Sequence, residues 1–180
     1  VNNLYQRYTE GISFSGDRKS DMANFFAAHN ELSTYQHTLD VVNEAVRLAH
    51  LFNVEADLAA EAAMLHDISN VIPKTSMMQA AEDSGFDILE EEYSYHRIIH
   101  QKLSKDMAIH LFGCTEMTVL NAIECHTTLK AGSSLLDKVL FVADKISWDL
   151  PGEHPYQEEM REKIVQLQLN DAVLIYLNHV

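Results

Sequence analysis

Cysteine, proline, glycine and positive charge are all scarce in this chain, and each shortage closes off a class of protein. Two cysteines, Cys114 and Cys125, among 180 residues are too few for a disulfide scaffold, and their apolar neighbourhoods read as packed positions in a reducing compartment. Three prolines and six glycines exclude collagen-like and low-complexity chains and leave no Gly- or Ser-rich linker to divide the chain. No run reaches the roughly 18 apolar residues of a membrane helix, and the opening Val1-Asn2-Asn3-Leu4-Tyr5 has neither the basic nor the apolar region of a secretion signal. The expectation is a cytoplasmic protein without membrane contact. Lysine and arginine number 13 against 27 acidic residues, a net charge of −14, so nucleic acids and anionic membranes are poor partners at long range. An anionic small molecule would need a local source of positive charge.

What the chain does have is 47% apolar residues and ten histidines. The apolar residues recur at helical spacing, as in Leu39, Val42, Val46, Ala49 and in Leu58, Ala62, Leu65, while strand-type alternation is nearly absent, which predicts an all-α fold. The pattern places helices at about 2–12, 17–30, 33–52, 55–68, 73–83, 89–112, 115–126, 134–148 and 156–179. Asp17 and Ser33 suit N-caps, Pro73 and Pro155 suit first turns, and Gly85, Gly113 and Gly132 mark turns. Glu90-Glu91-Glu92 reads as a solvated face. The last helix carries Ile164, Leu167, Leu169, Val173, Leu174 and Leu177, more apolar residues than one face needs, which makes it a candidate homodimer surface.

Two carboxylates stand where a core belongs. His66-Asp67 ends the apolar stretch from Ala59, and Asp144 ends the run Val139-Leu140-Phe141-Val142-Ala143. A buried carboxylate is tolerated when it is paired, heavily hydrogen-bonded or bound to a metal. His37, His100 and His126 sit in comparable apolar surroundings. Imidazole and carboxylate together suit iron, manganese, zinc or nickel, and the set His37, His66, Asp67, His100, His126 and Asp144 could hold two ions with a shared carboxylate. Neighbours on a helix point about 100° apart, so His66 would bind end-on and Asp67 would lean between two ions. Singly, each residue also has a plainer role: a core histidine bonded to a carbonyl, or Asp144 paired with Lys145, a weak pairing if adjacent side chains diverge.

The elements His37-Thr38-Leu39-Asp40-Val41, Met64-Leu65-His66-Asp67-Ile68, Ile99-His100-Gln101, Ala122-Ile123-Glu124-Cys125-His126-Thr127-Thr128 and Leu136-Asp137-Lys138 through Ala143-Asp144-Lys145-Ile146 resemble the HD-domain metal-dependent phosphohydrolases, and within them the bacterial YqeK-type branch. The resemblance covers roughly residues 30–175, in order. It implies a single all-α HD domain over 1–180, with a core at about 30–150 and flanking terminal helices. It also implies a dinuclear centre, iron first with manganese, cobalt, nickel or zinc as alternatives, on the six residues already named. The implied reaction is symmetrical cleavage of diadenosine tetraphosphate to two ADP by a metal-bound hydroxide. His66 and Asp67 would belong to the catalytic set, Lys145 and Lys138 would contact outer phosphates, Thr127 would bond a phosphate or orient His126, and Trp148 would stack a base or fill the core.

The chain departs from the branch at three places. Gln36 replaces a basic residue or glutamate, Asn70 replaces a lysine, and Ser147-Trp148-Asp149-Leu150 replaces Glu-Pro-x-Arg, all of which remove positive charge from the expected phosphate rim. Another nucleotide or phosphate ester, nucleotide binding without turnover, and a mixed-valent di-iron oxygenase therefore stand as alternatives. His96 lies one helical turn before His100 and could chelate with it. His29, His50, His110, His154 and His179 read as surface residues, and Met77 and Met78 as core filler.

Overall fold

The computed structural model describes residues 3–149 and 151–180, so the first residue of the helix expected over 2–12 and the Leu150 end of the Ser147–Leu150 stretch lie outside the described residues. Among the described residues there is helix and no strand. A 3-10 turn, Asn3–Tyr8, precedes α1 (Arg18–Ala28), α2 (Leu32–Phe52), α3 (Ala56–Leu65), α4 (Met77–Asp83) and α5 (Glu90–Ser94). Then come α6 (His100–His110), α7 (Met117–Ile123), α8 (Leu135–Ile146), α9 (Pro155–Val165) and α10 (Leu169–His179). Short 3-10 turns at Ile68–Val71, Lys74–Ser76 and His96–Ile99 link the middle helices. No helix among these is long and apolar enough to cross a membrane.

The molecule is built around α8. Its start is secured by a reciprocal cap, in which the Ser134 hydroxyl accepts from the Asp137 N–H at 3.1 Å and the Asp137 carboxylate accepts from the Ser134 N–H at 2.9 Å. Every residue from Val139 to Ile146 is buried, because α2, α3, α7, α9 and α10 all pack against this helix. A stretch of helix with no solvated face forces its polar residues to find partners inside the protein. Asp144 and Lys145 are those residues. The alanines of α3 (Ala59, Ala62, Ala63) are buried without bulk, and they bring α3 close to α2 and α8.

Several local expectations change. Asp17 caps α1, accepting from the Ser20 N–H at 3.0 Å, but Ser33 lies inside the first turn of α2, whose N-cap is Glu31. Glu90 and Glu91 are exposed, whereas Glu92 is buried, its carboxylate taken by the Leu89 N–H at 2.8 Å and the Lys102 ammonium at 2.7 Å. The helix expected over 55–68 stops at Leu65, and that over 89–112 is interrupted between Tyr95 and Ile99. The helix expected over 156–179 is two helices. Leu167 adopts a left-handed conformation with φ of 58°, its N–H bonds to Ile164 O at 3.0 Å, and the Gln168 N–H bonds to Lys163 O at 2.9 Å. This is a glycine-type helix stop built on leucine, so no glycine announced it. Of the surplus apolar residues there, Ile164, Leu169 and Val173 are buried in the chain's own core, while Leu167, Leu174 and Leu177 are exposed.

A left-handed leucine costs about 1–2 kcal/mol relative to glycine, and little packing is at stake because Leu167 is 61% exposed. Leu167→Gly is therefore expected to stabilise the protein by about 1 kcal/mol, raising its Tm by a few degrees in a thermal melt.

Candidate metal centre

Five pieces of chain converge at one end of α8. Beyond the last residue of α3 the backbone leaves the helix at Asp67 and turns into the 3-10 segment Ile68–Val71, so His66 and Asp67 project in different directions. That turn is tied to α6: the Ser69 N–H bonds to Ser104 Oγ at 3.2 Å and the Ser69 hydroxyl donates to His100 O at 2.9 Å. Gln101, one residue further on, donates to Thr128 Oγ1 at 3.1 Å and accepts from the Thr127 N–H at 3.1 Å, which fixes the turn after α7 that carries His126. α2 contributes His37 and α8 contributes Asp144.

The six residues singled out in the sequence are brought together. His37 Nε2 lies 3.0 Å from Asp144 Oδ1, and His66 Nε2 lies 3.7 Å from the same oxygen. Asp67 reaches three histidines: His100 Nε2 at 3.2 Å and His126 Nε2 at 3.5 Å through Oδ1, and His66 Nε2 at 3.6 Å through Oδ2. Three overlapping triplets, His37-His66-Asp67, His66-His126-Asp144 and Asp67-His100-His126, each keep their donor atoms within 4.8 Å of one another.

The backbone sets the tautomers. Nδ1 of His66, His100 and His126 faces a carbonyl three residues earlier, at 2.6 Å from Ala63 O, 2.6 Å from Arg97 O and 2.8 Å from Ile123 O. A carbonyl only accepts, so each Nδ1 carries a proton, and each ring in its neutral form turns the lone pair of Nε2 inward. His100 Nε2 and His126 Nε2 then stand 2.9 Å apart, a repulsive arrangement unless a proton or a cation lies between them. His66 Nε2 is buried without a hydrogen-bond partner. An orphaned imidazole nitrogen beside opposed lone pairs and two carboxylates is a donor set fit for divalent cations.

The electrostatics agree. Burial would push His66 down, but Asp67 and Asp144 outweigh it and hold its imidazole up at about 9. Burial drives His126 down to about 4; Asp67 opposes this, and the neighbouring His100 and His66 add to it. Asp67 and Asp144 lie well below the usual carboxylate range, because His66 and its fellow histidines, and for Asp144 first of all Lys145, overcome the cost of burial. Without metal, the raised His66 contributes stability that is complete below its ordinary 6.5 and is lost as pH rises through about 9. The depressed His126 contributes stability that is lost as pH falls from 6.5 toward about 4. Since ligands bind metal deprotonated, metal loading at neutral pH is expected to release the His66 proton. Calorimetric titration in buffers of different ionisation enthalpy reads this directly, and heats that are independent of buffer would contradict it.

Lys145 requires a correction. Expected to reach outer phosphates, it is instead wholly buried, with its ammonium 2.6 Å from Asp144 Oδ2 and 3.4 Å from His126 O. The rings of Trp148, Phe141 and Tyr176 box it in at 4.6, 5.3 and 5.4 Å. The pair with Asp144, expected to be weak between adjacent residues, forms because α8 offers the ammonium no solvated side. Trp148 is half-buried and its indole N–H donates to Asp144 Oδ1 at 2.9 Å. Gln157 on α9 donates to the Lys145 and Trp148 carbonyls at 2.9 and 3.0 Å and holds this end of α8 in place.

A cleft of about 1090 Å³ opens over the centre. Thr127 lines it, with its hydroxyl 3.3 Å from His100 Nε2. His96 lines it as an exposed residue, while Lys138 lies elsewhere, half-buried on α8. His50, His110 and His179 are exposed, and His29 and His154 half-buried. Sequence reading missed Lys74, Tyr95 and Arg97 on the cleft wall. Arg97 sits three residues before His100, which is a usable signal in hindsight. Lys74 follows Pro73 in a separate turn and has none.

Fold and site together define an all-helical protein with a buried histidine and carboxylate centre suited to divalent cations. The family model of the HD domain matches residues 34–149, and the chain belongs to the HD domain family. It is 41% identical over 119 residues to a Lactococcus lactis protein described as an uncharacterized protein in the pepC 5′ region, covering 66% of this chain and 60% of that one. It is 31% identical over 142 residues to the symmetrical bis(5′-nucleosyl)-tetraphosphatase of Bacillus subtilis, covering 78% and 73%. The crystal structure of a "predicted HD superfamily hydrolase involved in NAD metabolism" from Clostridium acetobutylicum superposes with a TM-score of 0.80 at 28% identity, over 92% of this chain and 85% of that one.

Proposed function

We propose that the chain is a metal-dependent phosphohydrolase of nucleotides, with symmetrical cleavage of diadenosine tetraphosphate to two ADP as its reaction. The observation that carries this is the pair of Nε2 lone pairs facing each other at 2.9 Å beside the orphaned His66 Nε2. The Bacillus relative and others bearing the same printed name support the choice of substrate.

His37, His66, Asp67, His100, His126 and Asp144 would hold two divalent ions, iron foremost. Asp67 would be the ligand available to both, since its two oxygens face different histidines. Bound ions would supply Lewis acidity, drawing charge from phosphoryl oxygens and lowering the pKa of water so that hydroxide is available as the nucleophile near neutral pH. The remaining work falls to the chain. Lys145 and the Trp148 indole N–H hold Asp144 by hydrogen bonds, the Thr127 hydroxyl beside His100 would bond a phosphate oxygen, and Lys74 and Arg97, which line the cleft, would serve as phosphate-binding cations. They supply the rim charge that Gln36, Asn70 and Ser147 to Leu150 lack.

The test is product analysis with diadenosine tetraphosphate and a panel of phosphate esters, using protein purified anaerobically and loaded with iron, manganese, cobalt or nickel. Two ADP as sole products are expected. ATP plus AMP would overturn symmetrical cleavage, turnover of another ester alone would move the substrate, and no phosphoryl product across the panel would overturn the reaction class.

A further inference from the structure

We infer that Tyr95 and Arg97, with Lys74 from the lining of the same cleft, form a nucleotide subsite in which a base stacks on the Tyr95 ring and the two cations hold the phosphates. The inference rests on the nucleotide reading of the cleft and names the residues that would recognise that substrate.

The chain is bent to make this surface. The helix expected over 89–112 breaks at Tyr95, whose φ of −122° and ψ of 57° are not helical. Two backbone bonds hold the break: the Tyr95 N–H to Glu91 O at 2.8 Å, and the Ile98 N–H to Tyr95 O at 2.9 Å. The result is that consecutive residues Ser94 to Ile98 all line the cleft, which an unbroken helix, turning 100° per residue, could not do.

Tyr95 is 71% exposed. Among the described residues it is the one exposed large apolar side chain that lines the cleft. So exposed a ring adds little to folding, but it offers an open π-face, which binds any nucleobase without reading its edge.

Two cations line the same cleft. The chain carries 27 acidic residues against 13 basic, and among the described residues seven of the 13 are ion-paired, Arg18, Lys102 and Lys105 among them. Among the described residues, neither Lys74 nor Arg97 has a carboxylate within the 4.0 Å of an ion pair, though both line a cleft that Asp40 and Asp149 also line. Unpaired cations in so acidic a protein are available to an anion.

The experiment is calorimetric binding of ADP and of pyrophosphate, which lacks a base, to the metal-loaded protein and to Tyr95→Ala, Tyr95→Phe and Arg97→Gln. Tyr95→Ala is expected to weaken ADP about tenfold or more, in line with the loss of one stacking contact, and to leave pyrophosphate unchanged. Tyr95→Phe should bind ADP as the parent does, and Arg97→Gln should weaken both ligands. ADP binding that ignores Tyr95→Ala, an equal loss of pyrophosphate, or a parent protein that does not bind ADP overturns the subsite. Tyr95-dependent ADP binding without cleavage of diadenosine tetraphosphate would sink the reaction and keep the subsite; cleavage with Tyr95-independent binding would do the reverse.

Discussion

Asp67→Ala is expected to remove the metal and the activity together. Asp67 is the one carboxylate that meets three of the imidazoles, through both of its oxygens. Loss of a residue that merely supports a metal ligand costs about 10–100-fold in affinity or activity, so if Asp67 is a ligand as proposed, its loss should lower kcat/KM by at least about 100-fold. Metal content, measured on the purified protein, should fall in step. The substitution also takes from His66 the charge that does most to hold its pKa up at about 9, so the titration of His66 should move down toward the ordinary range, visible by NMR in the metal-free protein. A variant that kept its full metal complement would remove Asp67 from the centre. A variant that lost its metal while His66 still titrated near 9 would show that Asp144 alone sustains the raised value.

Lys145→Met should be the most destabilising single change near the site. It removes the ammonium 2.6 Å from Asp144 Oδ2 and leaves a buried carboxylate with only histidine and indole partners. Breaking one side of a buried ion pair costs about 3–5 kcal/mol, mostly as the unpaired charge left behind. Urea unfolding in the presence of a chelator is expected to show a loss of that size. Asp144→Asn added to Lys145→Met should recover much of it, because the orphaned charge is then gone. Metal should also narrow the gap between Lys145→Met and the parent, since a cation at Asp144 takes over the compensation. If Lys145→Met instead unfolded like the parent under chelation, the ion pair would not be what makes a buried Asp144 tolerable.

The sequence made the centre legible for a physical reason. A carboxylate at the end of Val139-Leu140-Phe141-Val142-Ala143 has nowhere apolar to go, and the same holds for Asp67 after an alanine-rich helix, so burial could be read before any contact was known. The all-α architecture followed from the period of the apolar residues. Lys145 departs from the sequence expectation because the angle between helical neighbours decides a pairing only when one side chain has solvent to turn to, and the buried end of α8 has none. The breaks at Tyr95 and Leu167 were missed because neither carries glycine or proline; the chain stops there through backbone bonds that composition does not display. Lys74 and Arg97 come from different turns and share a cleft only through the path of the chain.

The hydrogen bond from Trp148 to Asp144 has a practical side. This is the chain's single tryptophan, with its indole N–H 2.9 Å from a carboxylate oxygen of the centre and a lysine ammonium 4.6 Å from its ring. Whatever changes the charge at Asp144 changes the electric field across that chromophore. The protein therefore carries its own optical probe, and the wavelength of its fluorescence should follow occupancy of the centre in real time, with no label and no substrate.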